Sequence, residues 1–116
     1  MELIALLSTG KGTWGQVAGL IKHGEWEKII ILGDDFAKQF TLDKKFEFIK
    51  VDLSKKIKDL KEEFSKKLKG KIKGTEVFLS VASGDGKEHM ALISALINLP
   101  VGIRFVALTK EGIINL

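Results

Sequence analysis

Cysteine and tyrosine are absent from this chain of 116 residues, and proline and arginine occur once each, at Pro100 and Arg104. Without cysteine there is no disulfide, no thiolate nucleophile and no cysteine-ligated metal. Histidine is scarce, with His23 and His89 the only two. Long apolar runs are missing as well. None approaches the ~20 residues a membrane helix needs. The opening "MELIALLS" carries an acid at position 2, and its apolar run is too short for a signal peptide. Internal repeats, low-complexity tracts and linkers are not found. These absences lead us to expect one soluble, cytoplasmic domain over residues 1–116, without membrane contact.

What is present is ordinary globular material, 45% hydrophobic and 29% charged. The net charge of +4 is unevenly spread. Residues 44–73 hold twelve of the nineteen basic residues and five of the fifteen acids, a local charge of +7. A basic segment attracts nucleic acid or other phosphates. These lysines follow helical spacing, so a solvated helix face accounts for them better. Binding of nucleic acid through helix 54–69 would lack aromatic platforms beyond Phe64, which its spacing assigns to the core. A long nucleic acid is therefore not an expected partner.

The hydrophobic pattern alternates strand and helix. "LIALL" (residues 3–7) and "KIIILGDD" (28–35) are continuous apolar runs, as in strands covered on both faces. Between them, Thr13 is a candidate cap for a helix carrying Trp14, Val17, Leu20 and Ile21 and ending near Gly24. A short helix, "DFAKQF", follows the second run, and "FEFIKVD" (46–52) reads as an edge strand. Ser54 is the expected N-cap of a helix with Ile57, Leu60, Phe64 and Leu68 on its core face, closed by Gly70. "TEVFLSVA" (75–82) is the fourth strand and "VGIRFVAL" (101–108) the fifth, with Arg104 expected at an edge or paired with an acid across a dimer. "IINL" reads as a sixth strand paired back on the fifth. The helix over 87–99 is apolar nearly all round, so a second subunit is a natural cover. The expected fold class is α/β: a Rossmann-like three-layer domain with a mostly parallel sheet of five strands, order 3-2-1-4-5, and a sixth antiparallel strand at the C-terminus.

In that order strands 1 and 4 are neighbours at the topological switch point, where open α/β sheets bind ligands. Two glycine loops leave their carboxyl ends and each opens a helix, whose N–H groups favour anions. The first holds Ser8, Thr9, Gly10, Lys11, Gly12 and Thr13, followed by Trp14; the second holds Ser83, Gly84, Asp85, Gly86 and Lys87. Hydroxyls donate hydrogen bonds and the two lysines supply charge, so the pair is a candidate site for a phosphate-bearing ligand. Gly10, Gly12 and Gly15 match the dinucleotide fingerprint G-x-G-x-x-G, with Asp34 placed to hold a ribose. The packing does not suit it. Ser8 and Thr9 stand where apolar residues should finish the strand, Trp14 crowds the third glycine, and we expect no substrate domain within these 116 residues. A P-loop fails too, because its first glycine falls on Val81 and Glu88 replaces the magnesium-binding hydroxyl. Asp34 and Asp35 are metal or ribose candidates, or a helix cap beside a solvated acid. Trp14 either stacks on a base or packs the first helix, and His89 is either a base or a packed residue.

Taken together, "LLSTGKG" after the first strand, "SGDGKEHMALISAL" after the fourth and the terminal "IINL" resemble the CARF family (CRISPR-associated Rossmann fold). The second loop carries Asp85-Gly86-Lys87 where that family usually has Gly-Thr-Lys. The resemblance implies a stand-alone sensor or ring nuclease. It implies a homodimer, formed here through helix 87–99, that binds a cyclic oligoadenylate across its two-fold axis in antiviral signalling, with no metal and no cofactor. In the ring nuclease alternative the ribose 2′-OH attacks the adjacent phosphate. Ser8 and Thr9 would then orient the ribose or phosphate, and Lys87 would stabilise the transition-state charge, with Lys11 a second cation. Gly10, Gly84 and Gly86 would hold phosphates through their N–H groups. Another nucleotide or dinucleotide is the further alternative ligand.

Overall fold

The computed structural model describes residues 1–8 and 13–116. Six strands form one sheet in the order β3-β2-β1-β4-β5-β6. They are β1 (Glu2–Leu7), β2 (Lys28–Gly33), β3 (Glu47–Lys50), β4 (Glu76–Ser80), β5 (Gly102–Thr109) and β6 (Gly112–Asn115). The first five are parallel, and β6 turns back antiparallel on β5, with Val106 opposite Asn115. The order and the final reversal are those expected from the sequence.

β1 is buried along its whole length, which is why its apolar run does not alternate. Leu3, Ala5 and Leu7 point to one face of the sheet with Ile29 and Ile31 of β2. Ile4 and Leu6 point to the other with Ile30 and Leu32. The first face is covered by α1 (Trp14–His23), through Val17, Leu20 and Ile21, and by a 3-10 helix at Asp35–Gln39. The second face is covered by α2 (Ile57–Leu68) and α3 (Gly86–Asn98). Trp26 covers the end of α1, donating from Nε1 to the Leu20 carbonyl at 3.0 Å and packing, tilted, with its ring centroid 5.6 Å from that of Phe78.

Three local expectations are corrected. The N-cap of α2 is Lys56, not Ser54. Ser54 instead folds back on Asp52, its N–H and hydroxyl donating to one carboxylate oxygen at 3.0 and 2.6 Å. This turn competes with helix entry, as a Ser or Asp side chain does when it captures nearby backbone. The core face of α2 is consequently Leu60, Phe64 and Leu68, while Ile57, in the first turn, is 41% exposed. Arg104 reaches the neighbouring strand of its own chain, donating from Nε to both carboxylate oxygens of Glu76 at 3.1 and 3.2 Å.

Candidate functional site at the carboxyl ends of β1 and β4

β1 and β4 pair directly, Leu3 opposite Phe78 and Ala5 opposite Ser80. The residues that follow each strand therefore emerge side by side. Ser8 and Ser83 are both buried, and they join the two loops: the Ser8 N–H donates to Ser83 Oγ at 3.0 Å. The Ser8 hydroxyl donates to Glu88 Oε2 at 3.3 Å, and the Ser8 carbonyl accepts from Trp14 Nε1 at 3.1 Å. Every backbone polar group of Ser8 is thus engaged.

Asp85 and Glu88 build the start of α3. The Asp85 carboxylate accepts from the Glu88 N–H at 2.8 Å, and Glu88 Oε1 accepts from the Asp85 N–H at 3.1 Å. This capping box satisfies two of the four N–H groups that a helix start leaves open. Those of Gly86 and Lys87 remain for an outside acceptor. The anion-binding end of α3 therefore already holds two carboxylates of its own. Glu88 is only 5% exposed. His89 Nε2 lies 2.8 Å from the Ser83 carbonyl, which accepts only, so that nitrogen carries the proton. His89 is a packed residue that steadies the loop.

Lys87 turns the other way. Its ammonium donates to the carbonyls of Leu53 and Lys55, both at 2.8 Å, and so ties α3 to the loop entering α2. Trp14 packs against Phe36 and Phe40, with ring centroids 5.6 and 5.9 Å away. Thr13 occupies the N-cap position of α1 without a side-chain capping bond. Asp34 caps the 3-10 helix, accepting from the Ala37 N–H at 3.3 Å. Asp35 is paired with Lys38 and Lys50, both at 3.1 Å. Hydrogen bonds from Lys50, then Lys38, hold its carboxyl below the usual range. Asp34, Asp35, Phe36 and Lys50 line a cleft of about 440 Å³ beside Trp14. Thr9, Gly10, Lys11 and Gly12 lie outside the described residues.

The structure thus gathers Ser8, Ser83, Gly84, Asp85 and Trp14 at one point and directs the Lys87 head away. Glu88 and Ser83 carry its internal bonding, a role sequence reasoning did not give Glu88. The signal was present: Asp85-x-x-Glu88 is capping-box spacing. A larger depression of about 720 Å³ lies at the opposite, amino end of the sheet. Around it Met1 pairs with Glu27 and Arg104 with Glu76, and Glu2 accepts from the Lys73 and Gly74 N–H groups. Among the described residues no cluster of His, Asp or Glu is arranged to hold a metal ion, and no helix is long and apolar enough to cross a membrane.

No family model and no curated protein matches the chain. A solved structure does: Enterococcus italicus Csm6 bound to cyclic hexa-2′-fluoro-hexa-dAMP, with a TM-score of 0.62 over 94% of this chain at 14% identity. The fold is CARF-like. The likeness spans 33% of the Csm6 chain, so the CARF-like chain corresponds to about a third of that protein. At this identity the likeness is one of fold. Ser8, at the end of β1, and the loop that follows β4 stand at the switch point of that fold, between β1 and β4.

Proposed function

We propose that this CARF-like chain binds a cyclic oligoadenylate second messenger as a homodimer, in CRISPR-associated antiviral signalling in the cytoplasm. The observation that carries the reading is the bond from Ser8 to Ser83, which fuses the loops after β1 and β4 into one polar floor at the switch point. The CARF-like fold supports it, since the Csm6 structure that shares this fold holds a cyclic adenine hexanucleotide analogue. In this reading the floor receives ribose and phosphate, with Thr9, Gly10 and Gly12 completing the first loop. Phosphate meets the N–H groups of Gly86 and Lys87 and the side chain of Lys11, and Trp14 flanks the mouth. The Lys87 ammonium supplies further charge by exchanging the Leu53 and Lys55 carbonyls for a phosphate oxygen. Asp34 lines the adjoining cleft. The dimer forms through α3, where Met90 and Ile97 are exposed and Ile93 half-buried on one stripe.

The test is incubation with cyclic tetra-adenylate and, separately, cyclic hexa-adenylate in EDTA, following both binding and products. Binding without products is the expected result and makes the chain a sensor or a sponge. Linear products with 2′,3′-cyclic phosphate ends would make it a metal-independent ring nuclease, with Ser8, Thr9 and Lys87 around the reacting phosphate. If neither ring binds, the second-messenger reading is overturned and a dinucleotide is the next ligand to try.

A further inference from the structure

We infer that Glu88 is a positioning residue that fixes the Ser8 hydroxyl as a hydrogen-bond acceptor, so that the site reads a hydroxyl donor at this point, the ribose 2′-OH, and not a phosphate oxygen. The inference rests on the cyclic oligoadenylate reading and adds to it what Ser8 recognises. Ser8 has two donors, and both are spent within the protein. Its N–H goes to Ser83 Oγ and its O–H to Glu88 Oε2. The second bond is long at 3.3 Å, but a carboxylate accepts only, so the hydroxyl proton is the one hydrogen that can lie between these two oxygens. The Ser8 carbonyl is taken by Trp14. What Ser8 has left for a ligand is the lone pairs of Oγ. A phosphate oxygen, also an acceptor, is repelled there. A ribose 2′-OH has a proton to give.

Glu88 is buried and held in this role by its neighbours. Its other oxygen is anchored by the Asp85 N–H. A methyl group placed on Gly84 would stand 2.8 Å from Oε1, so the glycine is what lets the carboxylate lie in this place. The same geometry says what Glu88→Gln does. The Asp85 N–H requires an acceptor, so the new amide turns its oxygen there and its NH2 towards Ser8. Ser8 Oγ then accepts from the protein, and its own proton points to the ligand. The polarity of the site is reversed with hardly a change of shape. Gln is tolerated in a capping box, so the helix start is kept.

The experiment measures the affinity of cyclic hexa-adenylate and of its all-2′-deoxy analogue for the unaltered protein, Glu88→Gln and Ser8→Ala, with melting curves as a check on folding. The unaltered protein is expected to favour the ribose ring by about tenfold, the worth of one good hydrogen bond. In both variants that preference falls to about one, while the deoxy ring binds Glu88→Gln at least as well as the unaltered protein. Changes of sugar pucker affect the rings equally in all three proteins, so the loss of preference isolates the Ser8 contact. If Glu88→Gln binds both rings and keeps the tenfold preference, the role given to Glu88 is overturned and the cyclic oligoadenylate reading stands. If the unaltered protein binds neither ring, that reading fails and the inference falls with it.

Discussion

Gly84 and Gly86 sit two residues apart in one loop and answer differently to a methyl group. Gly84 has φ +105°, and a Cβ there would meet Leu6 Cδ2 at 2.6 Å, Glu88 Oε1 at 2.8 Å and His89 Nε2 at 3.0 Å. Backbone strain and overpacking add, so Gly84→Ala is expected to cost roughly 3 kcal/mol. Gly86 opens α3, and a Cβ there meets nothing within 4 Å. Gly86→Ala is therefore expected to stabilise by about 0.5 kcal/mol, through the entropy of the unfolded chain. Urea denaturation of the two variants checks both signs; equal effects would refute the packing of Gly84 against Glu88. In "SGDGK" the glycines look alike, because φ and neighbours across the sheet are not written in a five-residue string. The capping spacing of Asp85 and Glu88 is written there. The direction of the Lys87 head is not, since a lysine stem reaches either side of a helix with equal ease.

The helices were legible by their periodicity and less so at their ends. Leu60, Phe64 and Leu68 mark the core face of α2 at spacings of four, and the structure buries all three. The entry to α2 is set by a long-range contact that no local pattern carries. Glu63, a full turn and more inside the helix with a side chain 10% exposed, reaches back to the Asp52 N–H at 3.0 Å and pairs with Lys55 and Lys67 at 2.8 and 3.0 Å. Burial pushes its carboxyl up, but hydrogen bonds from Lys55, Lys67 and the Asp52 N–H outweigh this and hold it below its ordinary value of 4.5. A group lowered on folding contributes stability that is present above its unfolded value and is lost as the pH falls through the folded one. Glu63→Gln is accordingly expected to cost about 1–2 kcal/mol at pH 7, the worth of charge-assisted hydrogen bonds. The gap between variant and parent begins to close as the pH drops below about 4.5 and is gone only below the lower value of the folded state, where both carry an uncharged side chain. Denaturation midpoints across pH 3–7, an interval of about one unit per point, follow the closure; a gap independent of pH would assign the effect of Glu63 to packing rather than charge.

For the whole molecule, the uninterrupted apolar runs of β1 and β2 foretold a sheet covered on both faces, and the crossover rule then fixed which loops meet. The apolar residues of α3 remain to be accounted for. Ala91, Leu92, Ala95 and Leu96 face the sheet and α2, whereas Met90 and Ile97 are 61% and 60% exposed, with Ile93 between them. Their spacing of three and four places them on one stripe, the face through which the proposed dimer meets its own copy across a two-fold axis. In the proposed dimer a charge in this stripe would face its symmetry mate, so Met90→Glu with Ile97→Glu would set like charges together at the axis. Neither residue belongs to the core, so the fold of the double variant is expected to survive within about 0.5 kcal/mol. Sedimentation velocity then separates the cases. A parent dimer that becomes a folded monomer in the double variant, and loses the cyclic oligoadenylate with it, makes α3 the interface and the two-fold essential to the site. A parent that sediments as a monomer, or a double variant that stays a dimer, removes α3 from that role and requires the ring to be held by one chain or across another face.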